Sequence, residues 1–547
     1  MKNPNLADIG VIAKRIGLEE EDIERYGNHM AKVHLGTLEK FDNRRAGKLI
    51  IVTAMTPTAA GEGKTTISIG LAQAIQKLGK KVVVALREPS LGPCFGVKGG
   101  ATGGGRSMVH PADRINLIFT ADFPAISAAH NLLSAMINNH IYHGNELGLD
   151  PKRIAFPRTV DMNDRSLRSI IVGAGDRDTG ALALDRFVIT PASEVMAIVG
   201  LSADYADMKS RLANIIAGYT RSGNPVFARD LNAHGAMAAL LKYALQPNLV
   251  QTTEGVPAFV HTGPFGNIAH GTSSLIADKL GMLLSDYVVT ETGFSSDLGA
   301  EKFINIVSRT GNIQVSAFVI VATIRALKRH GGAKESATED AAAVRRGMPN
   351  LLRHVGIIRR FGFEPVVAIN RFATDTENEL IAIRELLEEN NVHFAVADIF
   401  EKGGEGGLDL AKAVLSKADG GQRIPSYTYE MNDTVKEKIV KIATKVYGAD
   451  GVIFEKSALA DLDMIDRIGA SDYPVCMAKT QYSFSDDAKL LNAPTDFKVT
   501  VRSVKVSAGA RFVVPMLGEI MTMPGLPGKP SAERIGLTDE GEITGLK

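Results

Sequence analysis

The stretch Met55-Thr56-Pro57-Thr58-Ala59-Ala60-Gly61-Glu62-Gly63-Lys64-Thr65-Thr66 follows a short apolar run, Leu49 to Val52, and precedes an apolar-periodic segment, Ile67 to Leu78. This order predicts a strand, a glycine-containing loop and a helix, in which backbone N–H groups and a helix N-terminus bind phosphate oxygens. The common pattern G-x-x-x-x-G-K-[ST] is met only in its C-terminal half, because Thr58 stands where the first glycine would be. We interpret this phosphate loop as an ATP site.

Two side chains of the phosphate loop carry the expected chemistry. Lys64 would contact the outer phosphates, and the Thr65 hydroxyl would hold Mg²⁺. A glycine–lysine pair after a strand also occurs by chance, so a tight strand–helix turn is the alternative. The predicted ATP-binding residues are Thr58, Ala59, Ala60, Gly61, Glu62, Gly63, Lys64, Thr65 and Thr66.

Chain length, net charge and cysteine count limit the kinds of protein that this sequence can be. The 547 residues predict about three or four domains. Lys plus Arg total 62 against 61 acidic residues, a net charge of +1 that gives no field to attract nucleic acid or an anionic membrane. Two cysteines, Cys94 and Cys476, favour a reducing compartment, and the apolar runs are too short to span a bilayer. We expect a soluble cytoplasmic protein.

A second apolar strand, Lys81 to Leu86, ends at Arg87-Glu88-Pro89-Ser90. Two strands joined by one helix predict a parallel unit whose ligands gather at the strands' C-terminal ends. Arg87 is therefore expected beside the phosphate loop. It could pair with a surface carboxylate, but an arginine that faces phosphate favours the role of an anion clamp.

A glycine-rich segment follows, with seven glycines between Gly92 and Gly105 and Lys98 among them. Its composition is also typical of a flexible linker. Linkers rarely interrupt a nucleotide-binding domain just after its second strand, so we expect a functional loop over the site.

A third strand is predicted at Ile115 to Phe119, leading to Asp122. An acid at the end of a buried strand in such a fold often faces Mg²⁺ through water, so Asp122 is a candidate metal residue with Thr65. The helix expected from Ala125 to His140 carries His130, although a lone helical histidine more often packs than catalyses.

The remaining chain predicts further strand–helix units. Residues up to about Asp42 are expected to be helical, and the polar segment from Ser336 to Asn350 marks a boundary before the strand Pro365 to Asn370. The predicted fold is α/β. A phosphate-loop NTPase-like parallel-sheet domain (1–345) precedes a second Rossmann-like domain (346–450) and a smaller C-terminal α+β domain (451–547).

Several long motifs, in one order over nearly the whole chain, resemble the formate–tetrahydrofolate ligase (10-formyltetrahydrofolate synthetase) family, in its monofunctional form. The motifs are Thr56 to Thr66, Arg87 to Pro93, Gly263-Pro264-Phe265, Asn267 to Gly271, Asp297 to Phe303, Ala478 to Asp487 and Met523 to Pro527.

The resemblance implies a reaction in which ATP, formate and tetrahydrofolate give 10-formyltetrahydrofolate, ADP and phosphate, through formyl phosphate. Lys64 and Mg²⁺ would bear phosphate charge and Arg87 would hold formate and then formyl phosphate. His130 matches a family histidine near this site, where it could handle protons. The family is also typically a homotetramer activated by a monovalent cation, K⁺ or NH₄⁺.

The same resemblance implies an aromatic sandwich for the pterin, at Phe294, Phe372 and Phe400. The chain departs from the family pattern at four positions. Phe400 replaces a common tryptophan, Ala373 a common proline, and Ile118 and Pro124 stand where histidines are expected.

Two other functions fit these residues. One is a related ATP-dependent carboxylate ligase with a different acceptor. The other is a phosphate-loop switch ATPase that responds to a protein partner. Dependence on formate separates the ligase from the switch.

Overall fold

Helices and strands alternate along the chain in the computed structural model, which describes residues 6–335, 337–518 and 520–546. The strands are β1 (Ile23–Arg25), β2 (Ala31–Val33), β3 (Lys48–Ala54), β4 (Val82–Leu86), β5 (Gly103–Gly104), β6 (Ser107–His110), β7 (Leu149–Ile154), β8 (Arg158–Val160), β9 (Ile170–Val172), β10 (Ala183–Asp185), β11 (Phe187–Ile189), β12 (Ile216–Thr220), β13 (Pro225–Phe227), β14 (Asn248–Thr252), β15 (Pro257–Val260), β16 (Tyr287–Glu291), β17 (Ala317–Ala322), β18 (Val366–Asn370), β19 (His393–Ala397), β20 (Gly451–Phe454), β21 (Lys498–Ser507), β22 (Phe512–Leu517), β23 (Gly536–Leu537) and β24 (Ile543–Thr544).

The helices are α1 (Ile9–Arg15), α2 (Gly36–Lys40), α3 (Lys64–Lys77), α4 (Leu91–Pro93), α5 (Ala112–Asn116), α6 (Asp122–Tyr142), α7 (Glu194–Leu201), α8 (Tyr205–Ala213), α9 (His234–Leu240), α10 (Leu275–Leu284), α11 (Arg309–Gly311), α12 (Ile324–His330), α13 (Ala341–Arg360), α14 (Glu377–Glu389), α15 (Ile399–Lys402), α16 (Leu408–Ala418), α17 (Val435–Ile442) and α18 (Lys456–Arg467). A wide helical turn, Cys94–Lys98, directly continues α4.

Twelve strands form one large mixed sheet. Its path runs β1-β2-β14-β15-β4-β16-β3-β17-β18-β19, with the β5–β6 hairpin joined to β14. The strands from β15 to β19 along this path are all parallel to their neighbours, whereas β14 is antiparallel to β15. The predicted α/β class is confirmed.

The parallel part of the sheet is buried on both faces. In β3, Leu49 and Ile51 pack into one hydrophobic cluster, and Ile50 and Val52 pack into the other. A strand covered on both faces by helices carries an unbroken apolar run, as the sequence shows here.

The C-terminal ends of these strands meet at one edge of the sheet. The phosphate loop follows β3, Arg87 follows β4, and Glu291 ends β16. Because β16 lies between β3 and β4 in the sheet, these groups are neighbours. The expected parallel relation of β3 and β4 is confirmed, with β16 inserted between them.

The predicted strand at Ile115 to Phe119 is wrong. Helix α5 covers Ala112–Asn116, and residues 117–121 form an irregular connection to α6. A five-residue apolar run is too short to separate a strand from a buried helical turn by pattern. Ile118 is 61% exposed, which a buried strand would not allow.

The expectation of a wholly helical N-terminus is wrong in part. Helices α1 and α2 are present, but β1 and β2 form a hairpin between them and β2 joins the large sheet beside β14. The hairpin turns at Gly27, whose φ of +80° favours glycine.

The strands expected to open a second domain extend the same sheet. β18 pairs in parallel with β17, and β19 pairs with β18. The boundaries after residues 345 and 450 stay a prediction.

The C-terminal part has its own small sheet, β20-β21-β22, with α18 packed on β21. Across the described ranges, every helix is too short or too polar to cross a membrane.

Candidate functional site

The phosphate loop turns through two glycines in the left-handed region, Gly61 and Gly63, each with φ of +75°. A Cβ on Gly63 would lie 2.6 Å from Asn370 Nδ2, which donates to the Glu62 carbonyl at 3.0 Å. Glycine is therefore required at position 63 both by its backbone conformation and by the close approach of β18.

The buried Glu62 side chain braces the loop from inside. Its carboxylate accepts from the Thr58 backbone N–H at 2.6 Å and from the Thr323 hydroxyl. Arg325 donates to the Gly61 carbonyl from the next helix, α12. The N-terminal end of α12 thus holds the loop in shape.

Lys64 is the first residue of α3. Burial lowers its pKa to about 8, although the nearby Glu291 carboxylate acts in the opposite direction. Next to it, the Thr65 hydroxyl donates to Glu291 Oε2 at 2.9 Å. The predicted pair Lys64 and Thr65 therefore shares one acidic neighbour.

Arg87 faces the same carboxylate from the other side. Its Nη2 lies 3.6 Å from Glu291 Oε1, and its Nη1 donates to the Pro264 carbonyl at 3.1 Å. Arg87 Nε has no hydrogen-bond partner in the part of the chain that the structure describes. The Nε atom is buried, and the contacts of the two Nη atoms orient the guanidinium.

Lys98 adds a third cation, from the wide turn that ends the helical segment after α4. Lys98 is exposed, and the protein around its ammonium group, together with the nearby Arg87 charge, lowers its pKa. Lys64, Arg87 and Lys98 thus influence one another electrostatically around Glu291. Their net positive charge suits a phosphate-bearing anion.

Sequence reasoning did not assign roles to Glu291 and Lys98. Glu291 was visible only as the polar end of an apolar strand, and Lys98 only as a cation within a glycine-rich segment. Which strand lies between β3 and β4 is a property of the sheet and not of the local sequence.

The backbones of two loops, one between β15 and α10 and one after β16, lie in close contact beside Arg87. A Cβ on Gly271 would lie 2.4 Å from Gly266 Cα, and a Cβ on Gly293 would lie 2.9 Å from the same atom. The Cβ placed on Gly293 would also lie 3.3 Å from Arg87 Nη1. Gly266, Gly271 and Gly293 thus form a glycine floor beside the guanidinium, and this floor requires small residues.

Phe294 lies on this floor. It is partly buried, its φ is +60°, and its ring is 3.2 Å from a Cβ placed on Gly266. Non-glycine residues in the left-handed region are strained and cluster at functional sites.

Phe372 follows β18, and Phe400 lies in α15 after β19. The Arg325 guanidinium stacks 4.5 Å from the Phe372 ring centroid. The Phe400 side chain is 48% exposed and lies against Gly104, whereas its carbonyl accepts from Arg106 at 3.0 Å. No ring–ring contact joins any two of the three phenylalanines within the described ranges.

Asp122 is held by other partners. Lys32 Nζ donates to its two oxygens at 2.7 and 2.9 Å, and Asn248 donates to it at 2.8 Å. Lys32 and Asp122 are both buried. The carboxylate that contacts Thr65 is that of Glu291, and the role of Asp122 in metal binding stays a prediction.

His130 is packed in the core. Its ring stacks on Phe156 at 4.1 Å, and Nε2 contacts the Pro157 carbonyl at 2.8 Å. Burial lowers its pKa to about 4. Its contacts do not reach Lys64 or Arg87, and its proton-handling role stays a prediction.

Three positions that depart from the family pattern, Ile118, Pro124 and Ala373, are exposed.

The oxygen groups at Thr65 and Glu291 are of the kind that Mg²⁺ takes in nucleotide sites, where one or two carboxylates act together with phosphate oxygens. No cluster of three or more His, Cys, Asp or Glu side chains that would enclose a metal by itself is found among the described residues. The arrangement fits a metal shared with a nucleotide better than a resident metal.

Comparison with known proteins agrees with this geometry. The family model described as formate–tetrahydrofolate ligase matches residues 1–547. The chain belongs to the formate–tetrahydrofolate ligase family. It is therefore an enzyme, a ligase, and the resemblance in its motifs is confirmed.

Relatives in this family are similar over their whole length. The formate–tetrahydrofolate ligase of Thermoplasma volcanium is 66% identical over 541 residues, covering 99% of this chain and 100% of the relative. The enzyme of that name from Thermoplasma acidophilum is 64% identical with the same coverage. The one from Symbiobacterium thermophilum is 54% identical over 544 residues, covering 99% and 98%.

Proposed function

We propose that the chain joins formate to tetrahydrofolate at the expense of ATP, through formyl phosphate, and gives 10-formyltetrahydrofolate, ADP and phosphate. The observation that carries this proposal is the position of Glu291, which accepts from the Thr65 hydroxyl at 2.9 Å and lies 3.6 Å from Arg87, in a chain of this family.

In the first step a formate oxygen attacks the γ-phosphorus and ADP leaves. Formate and ATP are both anions, so their approach needs cations that are already in place. Lys64 and the loop amides hold the γ-phosphoryl oxygens, and the Arg87 guanidinium, whose Nη2 lies 3.6 Å from Glu291 Oε1, binds formate. The glycine floor fixes Arg87 close to the reacting atoms.

Thr65 and Glu291 are the residues that would hold Mg²⁺ with the nucleotide. The ion supplies charge neutralisation on the β- and γ-phosphates. Asp122 was the predicted second metal residue, and its pairing with Lys32 leaves Glu291 as the better-placed carboxylate.

In the second step the N10 amine of the folate attacks the formyl carbon and phosphate leaves with the oxygen that came from formate. Arg87 would stabilise the oxyanion that develops on the formyl oxygen. Phe294, Phe372 and Phe400 are proposed to bind the pterin. Their positions support this role, because each follows the C-terminal end of a parallel strand: Phe294 follows β16, Phe372 follows β18, and Phe400 lies in α15 after β19.

We propose that residues 1–345 bind ATP and formate, that 346–450 contribute to the folate site, and that 451–547 form a C-terminal α+β domain. We further propose a cytoplasmic homotetramer that a monovalent cation activates, as in the family.

Formate labelled with oxygen-18 tests the proposed intermediate. Turnover through formyl phosphate transfers one labelled oxygen to inorganic phosphate. Unlabelled phosphate would contradict the mechanism. Omitting one substrate at a time tests the two alternative functions. A ligase with another acceptor works without tetrahydrofolate. A switch ATPase hydrolyses ATP without formate.

A further inference from the structure

The segment from Ser90 to Lys98 is attached to the rest of the protein by an acid from a distant part of the chain. Asp161, directly after β8, accepts from the Ser90 hydroxyl at 2.5 Å and from the Leu91 backbone N–H at 2.9 Å. Ser90 precedes α4 but makes no side-chain cap for it. Asp161 therefore caps this helical segment in place of a local residue.

Asn163 supports the same segment two residues further on. A Cβ on Gly92 would lie 2.4 Å from Asn163 Oδ1, and one on Gly96 would lie 3.0 Å from its Nδ2. The helical segment thus rests with its backbone directly on the residues after β8.

Residues from the C-terminal part of the chain also contact this region. Arg168 donates to the Met523 carbonyl at 2.9 Å, and the Ile189 N–H donates to the Thr522 carbonyl at 2.8 Å. The turn Ser531–Glu533 then lies against Cys94–Lys98. The segment that carries Lys98 is enclosed between two parts of the fold.

We propose that Asp161 is a positioning residue that fixes Lys98 beside Arg87 and the phosphate loop, so that the cations meet the transferred phosphoryl group together. This inference rests on the proposed roles of Lys98 and Arg87. Asp161 acts on the segment through its hydrogen bonds and does not contact the phosphate loop's own bracing residues, Glu62 and Thr323.

Two variants separate the effect of the Asp161 hydrogen bonds from the effect of its charge. Asp161→Ala removes both, whereas Asp161→Asn removes only the charge. In the asparagine variant the amide oxygen can accept from Leu91 N–H while the amide nitrogen donates to the Ser90 hydroxyl. We expect Asp161→Ala to lower kcat about tenfold or more and to raise the formate KM, because small displacements of catalytic groups are costly. ATP affinity should stay within about twofold, and Asp161→Asn should recover most of the activity.

Amide hydrogen exchange over residues 91–98 measures the attachment independently of turnover. It should speed up in Asp161→Ala. Asp164→Ala is the matched control, because Asp164 lies three residues after Asp161 and its side chain accepts from the Ser166 N–H and hydroxyl. Ser90→Ala removes one of the two bonds and should show a smaller change in the same direction, which keeps the test open if Asp161→Ala does not fold.

Two results would overturn the inference. One is faster exchange with wild-type kcat and formate KM, which would show that the segment's position does not govern turnover. The other is an asparagine variant as impaired as the alanine variant. Wild-type protein without formate-dependent turnover would instead contradict the proposed function, while the exchange measurement would still report on the attachment.

Discussion

The Thr65 hydroxyl of the phosphate loop donates a hydrogen bond of 2.9 Å to Glu291, which ends β16 and lies 226 residues further along the chain. The sheet explains this contact, because β16 lies between β3 and β4. Glu291 therefore lies between Thr65, which follows β3, and Arg87, which follows β4. One carboxylate therefore contacts the proposed metal-binding residue Thr65 and lies beside the proposed formate-binding residue Arg87.

Lys64→Ala should abolish most turnover and leave the fold intact, because the lysine acts on phosphate and not on packing. The loss of one directed charge corresponds to about 3–4 kcal/mol, or roughly several hundredfold in kcat. Steady-state kinetics with circular dichroism check this, with the exposed Lys80→Ala as the control. Near-normal activity would remove Lys64 from the mechanism.

Arg87→Ser should impair formate activation more than ATP binding, because nucleotide can dock on the phosphate loop without β4. We expect a large fall in kcat and a nucleotide Kd within about threefold of wild type. Calorimetric nucleotide titration is compared with turnover, and exposed Arg114→Ser serves as the control. A parallel fall in both would make Arg87 a general anchor.

Glu291→Gln should raise the Mg²⁺ concentration needed for half-maximal activity, because the amide keeps a hydrogen-bond acceptor for Thr65 but loses the charge. A loss of about tenfold or more in kcat is expected, since one ionic partner of Arg87 is also removed. Magnesium titrations at saturating ATP make the measurement. Unchanged magnesium dependence would exclude Glu291 as the metal-side carboxylate.

Phe400→Trp should tighten tetrahydrofolate binding by about 1 kcal/mol, because the larger ring offers more stacking area to the pterin. The ring also lies against Gly104, near the Thr66 hydroxyl. If Phe400 serves only to support this hairpin, tryptophan will lower the melting temperature or ATP affinity and leave folate affinity unchanged. Titration of both proteins with tetrahydrofolate distinguishes these outcomes, with the melting temperature and the ATP affinity measured as controls.

Asp278→Asn should stabilise the protein most at high pH. Asp278 is fully buried, and burial raises its pKa from 3.8 to about 7. A folded-state pKa above the unfolded value contributes stability below pH 3.8, and this contribution is lost as pH rises to about 7.

Between pH 4 and 8 the stability of Asp278→Asn relative to wild type should therefore rise by up to about 4 kcal/mol. Denaturant unfolding at several pH values measures this, with the exposed Asp463→Asn as the control. A difference that does not change with pH would show that Asp278 is ionised in the folded protein.

The phosphate loop could be found from sequence because its parts are local. An apolar run, two glycines and a lysine specify strand, turn and helix within 30 residues, and the structure has each of them. Arg87 was placed correctly beside the loop for the same reason, since a parallel unit brings strand ends together.

The rest of the site depends on contacts between distant segments. Glu291 reaches the loop through strand order, and the segment that carries Lys98 is attached through hydrogen bonds to Asp161. Neither relationship leaves a local pattern in the sequence. The error at Ile115 to Phe119 has a different cause, because that short apolar run fits a helix and a strand equally well.

The central place of β3 in the sheet also bears on synthesis of the chain. β3 ends at residue 54, but its two neighbours in the sheet, β16 and β17, begin at residues 287 and 317. At about 5–20 residues per second, the ribosome takes roughly 12–50 seconds to produce the first of them. During that time β3 is an apolar strand without partners, so the nascent chain is a natural client for chaperones. The ATP site forms only after more than half of the protein has been made.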